Sequence, residues 1–104
     1  METDFGKARR YLREALESAD HAPTPQWGVW LAYVDRVADL QADRVPEEIR
    51  DRYNMWQETI AGLGRDDSDR ALSEVVTEEM SDDQARDMIQ TLREMAVEIG
   101  AIDA

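Results

Sequence analysis

Cysteine is missing from this 104-residue chain. Its absence removes a disulfide framework, a thiolate nucleophile and any cysteine-ligated metal, and it suits a cytoplasmic setting without demanding one. Histidine occurs once, in the turn His21-Ala22-Pro23, where a solvated capping role at a helix C-terminus is the expected one. The serines therefore lack a base, and a nucleophilic triad is excluded by inventory. No glycine-rich phosphate loop is present, and the three prolines fall at expected helix starts or in the turn before one. No run of 18 apolar residues occurs, and the first 20 residues carry charges throughout, so neither a transmembrane helix nor a signal peptide is expected.

What is present is apolar enough to fold. Hydrophobic residues make up 42% of the chain, with three Trp and three Tyr among them, enough area for one core despite the charge. Alternating β-branched runs are few, and helical periodicity recurs along the chain. The expected fold is all-α: a single compact bundle of about five helices, one domain over residues 1–104, arranged around a central buried helix at residues 25–41.

That central stretch, Thr24 to Gln41, reads TPQWGVWLAYVDRVADLQ. At about 100° per residue, Val29, Leu40, Tyr33, Val37, Trp30, Val34, Trp27, Ala38 and Leu31 fill an arc of about 200°, leaving Ala32, Asp35, Arg36 and Asp39 for the remainder. A surface helix needs about half that arc, so two or more neighbours are expected to cover this one. Thr24 suits an N-cap and Pro25 the first helical position.

Around it, Asp4 to Asp20 predicts a helix with Phe5, Ala8, Leu12, Ala15, Leu16 and Ala19 inward, and with Arg10–Glu14 and Arg13–Glu17 as i,i+4 pairs on its outer side. Pro46 opens a helix carrying Glu47 and Glu48 in its first turn and a seam of Ile49, Tyr53, Trp56, Ile60 and Leu63. It is expected to lie antiparallel along the central helix, to end at Gly62 and Gly64, and to give way to a polar loop at Arg65 to Ser68. A shorter helix, Asp69 to Glu79 with Ser68 as cap, turns Leu72, Val75, Val76 and Met80 inward; Glu79 falls inside that arc, so either the helix frays before it or the glutamate lies at the edge of the contact and reaches water. Ser81-Asp82-Asp83-Gln84 is a capping-box pattern that starts the last helix, and Gly100 is the residue expected to end it. Tyr11 and Met55 fall outside the apolar stripes of their helices.

The formal charge of −12 is unevenly placed. Residues 1–63 carry −4 and residues 64–104 carry −8, and between Asp66 and Asp83 eight acids (Asp66, Asp67, Asp69, Glu74, Glu78, Glu79, Asp82, Asp83) face one base, Arg70. Such a field repels nucleic acid and anionic membrane and attracts basic partners. Proteome-wide acidity is the competing account: salt adaptation in a GC-rich organism would also give eleven Arg to one Lys, but would not leave the first 63 residues so ordinary.

No metal or cofactor site is expected. Glu14-x-x-Glu17 followed by Glu48-x-x-Asp51 resembles the E-x-x-E, E-x-x-D pattern with which all-helical nucleotide pyrophosphohydrolases hold magnesium. The four carboxylates, however, lie away from the apolar stripes, the intervening stretch is longer than is usual for that family, and no basic set for phosphate is nearby. Asp66-Asp67-Ser68-Asp69 offers oxygens in a loop, but counted from Asp67 the sixth place of a calcium loop is Leu72 rather than Gly, and the alternating ligands before Glu78 are absent.

The pattern points away from catalysis and toward protein binding. The leading expectation is a small acidic helical module that neutralises or masks a basic protein partner, of the immunity-protein or inhibitor type, with the eight acids as its binding patch and no direct contact with nucleic acid or membrane. Met80, Met88 and Met95 in the last two helices are expected to fill the core, or else to line an apolar groove rimmed by acids that would take a basic amphipathic partner. Two alternatives stand beside it: a self-associating subunit whose wide central helix is completed in a homodimer with Trp27 or Trp30 at the two-fold interface, and the magnesium-dependent hydrolase.

Overall fold

Five α-helices follow one another among the described residues, 5–66 and 69–103 of a computed structural model: α1 Gly6–Asp20, α2 Pro25–Asp35, α3 Glu47–Asp66, α4 Leu72–Glu79 and α5 Asp82–Glu98. No strand occurs among them, and the radius of gyration, 13.3 Å, is that of a compact chain of this length. The expected all-α bundle is what forms. Asp4 and Ser68, read as the start of one helix and the cap of another, lie outside the described residues.

Helix α2 is central, packed against α1, α5 and α4, but it is shorter than expected and buries a different face. Thr24 caps it, its hydroxyl accepting the Trp27 N–H at 3.2 Å. The buried residues are Gly28, Val29 and Ala32. Ala32, assigned to the polar remainder on the wheel, is fully buried, while Trp27 and Val34 are 41% and 43% exposed. Size decides this. A Cβ built on Gly28 would lie 3.2 Å from the Ala19 carbonyl oxygen and 3.1 Å from Ile89 Cδ1, so the helices approach closely only along the line of small side chains. The rings are displaced to the flanks, where Trp30 and Tyr33 meet with centroids 6.0 Å apart and still cover part of the core.

The α-helix stops at Asp35 instead of continuing to residue 41. Arg36 leaves helical geometry at φ −137°, ψ −51°, and two short 3₁₀ turns follow, Val37–Asp39 and Ala42–Arg44. Helix α3 holds this departure in place. Tyr53 Oη donates to the carbonyls of Leu40 and Val37, and Gln57 Nε2 donates to the same two at 3.0 Å. One turn earlier, Arg50 reaches the Ala42 carbonyl at 3.2 Å and that of Val45 at 2.8 Å. Arg50, Tyr53 and Gln57 share one helical face, so the carbonyls released by ending the helix are satisfied by a single row of donors. Val37, Leu40 and Val45 turn inward between those bonds and are buried.

Helix α3 departs from expectation at its far end and in its neighbours. It continues through Gly62 and Gly64 to Asp66, so residues 65 and 66 belong to the helix. Both glycines keep negative φ; among the described residues only Gly100 is positive, at 77°. Gly64 instead admits Leu72, whose Cδ1 would stand 3.2 Å from an added Cβ. The main neighbours of α3 are α4, α5 and the second 3₁₀ turn rather than the central helix. Helix α4 is correspondingly shorter than expected, starting at Leu72 behind Ala71 without a side-chain cap.

Helix α5 matches its expected limits. Ser81 Oγ accepts the Gln84 N–H at 3.1 Å. At the other end Gly100 N–H bonds the Val97 carbonyl at 3.1 Å and Ala101 N–H the Ala96 carbonyl at 2.7 Å, the paired closure that needs a left-handed residue at Gly100. Met80, Met88 and Met95 are buried, so core filling is their structural role.

Candidate functional site

The acidic patch begins on α4. Glu74, Glu78 and Glu79 are 58–61% exposed and gather around Arg70, which reaches Glu79 at 2.8 Å, Glu78 at 3.2 Å and Glu74 at 4.0 Å. The expected ambiguity at Glu79 is thus resolved: it lies at the surface, paired. Arg70, only 28% exposed, works as a staple that spreads one positive charge over at least these three carboxylates. The patch continues onto α5, where Asp82 accepts a hydrogen bond from Gln26 Nε2 at 2.5 Å and Asp83, 97% exposed, stands 4.0 Å from Arg86. Gln26 also donates to the Met80 carbonyl at 3.1 Å, which ties the start of the central helix to the junction of α4 and α5. Asp69 is exposed ahead of α4. The side chain of Asp66 and all of Asp67 lie outside the described residues.

The Glu14, Glu17, Glu48 and Asp51 pattern does not converge: among the described residues no group of three or more His, Asp or Glu is placed to hold a metal ion. Glu14, one-third exposed, takes Arg36 rather than Arg10 as its ion-pair partner. Arg36 Nε donates to Glu14 Oε1 at 2.8 Å, and this hydrogen bond holds the Glu14 carboxyl below its ordinary value. The same guanidinium lies 5.7 Å from the centre of the Tyr11 ring, flanked by Lys7 and Arg10 at 5.1 and 5.5 Å. Tyr11, off the apolar stripe, is therefore a landing for cations. His21 Nδ1 lies 2.7 Å from the Glu17 carbonyl oxygen, the capping contact expected of it.

The patch reading missed a groove between α3 and α5. Trp56 Nε1 donates to the Met88 carbonyl at 2.8 Å, so the indole spans the two helices and fixes their spacing. Arg52 pairs with Glu98 further along. Numbers rise on α3 as they fall on α5, so the helices run antiparallel. Above Trp56 and Met88 lies an open groove of about 480 Å³, within the ordinary range for binding sites. Met55, 68% exposed, and Thr59 form one wall, and Gln84, Asp87 and Thr91 the other. Two sequence signals point here: Met55, a large apolar side chain off its seam, and Met88, one of the methionines weighed as groove lining.

A second apolar surface is the outer face of α2, where Trp27 and Val34 stand exposed with the half-buried Leu31 between them. No helix among the described residues is long and apolar enough to cross a membrane. Comparison with protein-family models, with curated proteins and with solved structures finds no match.

Proposed function

We propose that this all-α protein is a non-enzymatic binding module that masks a basic protein partner, in the manner of immunity proteins and other protein inhibitors. The observation that carries this reading is the balance around Arg70. One guanidinium is shared among Glu74, Glu78 and Glu79, and the stretch from Asp66 to Asp83 still holds eight acids against that one base, with Asp83 almost wholly in solvent. A field of this kind speeds encounter with a cationic surface and fades as salt screens it over about 8 Å at physiological ionic strength.

The test is affinity capture from lysate of the native cell, comparing wild type with the combined variant Glu74→Gln, Glu78→Gln, Asp83→Asn across increasing salt. Basic partners held by wild type should be lost from the variant and from wild type at high salt. Equal recovery by both proteins at every salt concentration overturns the reading.

A second reading, self-association, is favoured by the exposed Trp27 and Val34 on the outer face of α2. Two copies meeting there would form an isologous contact. Sedimentation at the monomer mass of 11.9 kDa across micromolar concentrations would exclude it.

A further inference from the structure

We propose that the groove between α3 and α5 is the seat for one segment of that partner: a basic amphipathic helix laid between the two helices with its apolar face down. The inference rests on the proposed function and names the surface through which it acts.

Length is the first argument. From Arg52 to Thr59 the α3 wall runs seven residues, about 10 Å of helix, which is also the distance between positions i and i+7 of an inserted helix. Two turns carrying apolar anchors at i, i+3 or i+4, and i+7 therefore match the groove end to end. The lining fits such anchors. Trp56 supplies a flat apolar floor locked by its bond to Met88, while Met55 stands at the rim with a flexible thioether that can fold over an incoming side chain. A 480 Å³ groove holds a few large side chains, not a folded domain.

Charge selects the occupant. Arg52 is the one cation among the lining residues, and its guanidinium is taken by Glu98 at one end of the groove. Asp87 lines the groove from α5, and Asp83, one turn earlier on the same helix, is 97% exposed with only the solvated Arg86 4.0 Å away. Lysines or arginines flanking the apolar face of an inserted helix would meet Asp87 and Asp83, and an acidic helix would be repelled. A second copy of this chain brings a charge of −12 against the same charge and is disfavoured on that ground.

The test uses a displayed library of helix-forming peptides of about four turns, selected on the intact protein, with amide shifts mapping where the enriched peptides bind. Enriched sequences should carry apolar residues at i, i+3 or i+4, and i+7 with flanking Lys or Arg, and should shift Met55, Thr59, Asp87 and Thr91. Met55→Gln and Asp87→Lys, both at exposed positions, should each weaken them by about tenfold or more. Shifts centred on α4 would overturn the groove as the seat while leaving the basic-partner reading standing. Enrichment of peptides without basic residues would overturn both. Failure to enrich any sequence, equal binding to both variants, or groove shifts that track self-association instead would each overturn the seat alone.

Discussion

The Tyr53 hydroxyl lies 2.7 Å from the carbonyl oxygen of Leu40, in a connection that has just left helical geometry. Burial pushes the Tyr53 phenol well above its ordinary value near 10, because its ionised form would lose water without gaining a cation. A raised value means that the neutral phenol is favoured by folding. This contribution is complete below the unfolded pKa of about 10 and is lost as pH rises beyond it. Urea unfolding should therefore show stability falling at alkaline pH. Tyr53→Phe should be less stable near neutrality by about 1 kcal/mol, since Gln57 still serves the same carbonyls, and should fall less steeply above pH 10. An unchanged alkaline slope in the variant would refute this account.

Gly28 and Gly62 should respond oppositely to an added side chain. At Gly28 the Ala19 backbone oxygen and Ile89 Cδ1 occupy the space, and Gly28→Val should cost about 1–3 kcal/mol by overpacking. At Gly62 the nearest obstruction is the flexible end of Arg65 at 3.7 Å, so Gly62→Ala should add about 0.5–1 kcal/mol in unfolding measurements. Equal effects at both positions would show that the close approach of α1 and α2 is not rigid.

The Arg36–Glu14 pair gives acid sensitivity to the end of α2. Glu14 is held below its ordinary 4.5 first by the hydrogen bond from Arg36, against an opposing effect of desolvation. A depressed carboxyl contributes stability above the unfolded value and loses it as pH falls through the folded one. Carboxyl titration by NMR should place Glu14 below 4.5, and Arg36→Gln should return it toward 4.5. No change in Glu14 on removing Arg36 would exclude the pairing in solution.

Arg70→Ala should move stability and binding in opposite directions. Without its staple, Glu74 and Glu78 become an unrelieved i,i+4 like-charge pair, which costs a few tenths of a kcal/mol at low salt. The same change deepens the negative field and should tighten salt-sensitive association with a cationic partner. Calorimetric melting and binding on one variant test both signs.

How much was legible varied with how local the cause was. The limits of α5 could be read directly because Ser81 and Gly100 act on backbone groups within their own turn. The end of α2 could not, because the donors that make leaving the helix affordable are Arg50, Tyr53 and Gln57 on another helix. The wheel also inverted α2: it ranks residues by hydrophobicity, whereas close helix approach selected the small ones, Gly28 and Ala32. The acidic residues were visible as a run, but not the convergence of three of them on Arg70. The groove depends on α3 meeting α5, which no periodicity encodes, and Met55 and Met88 were its only traces.

The row of donors on α3 also changes where the chain is vulnerable. Residues 36–46 have little α-helix, yet Val37, Leu40, Ala42 and Val45 are tied by their carbonyls to side chains of α3. Opening that segment for a protease means displacing α3 from it. The turn at His21 to Thr24, largely exposed, needs no such displacement. Limited proteolysis should thus nick the chain between α1 and α2 before it cuts the irregular connection, which should survive as long as the helices it joins.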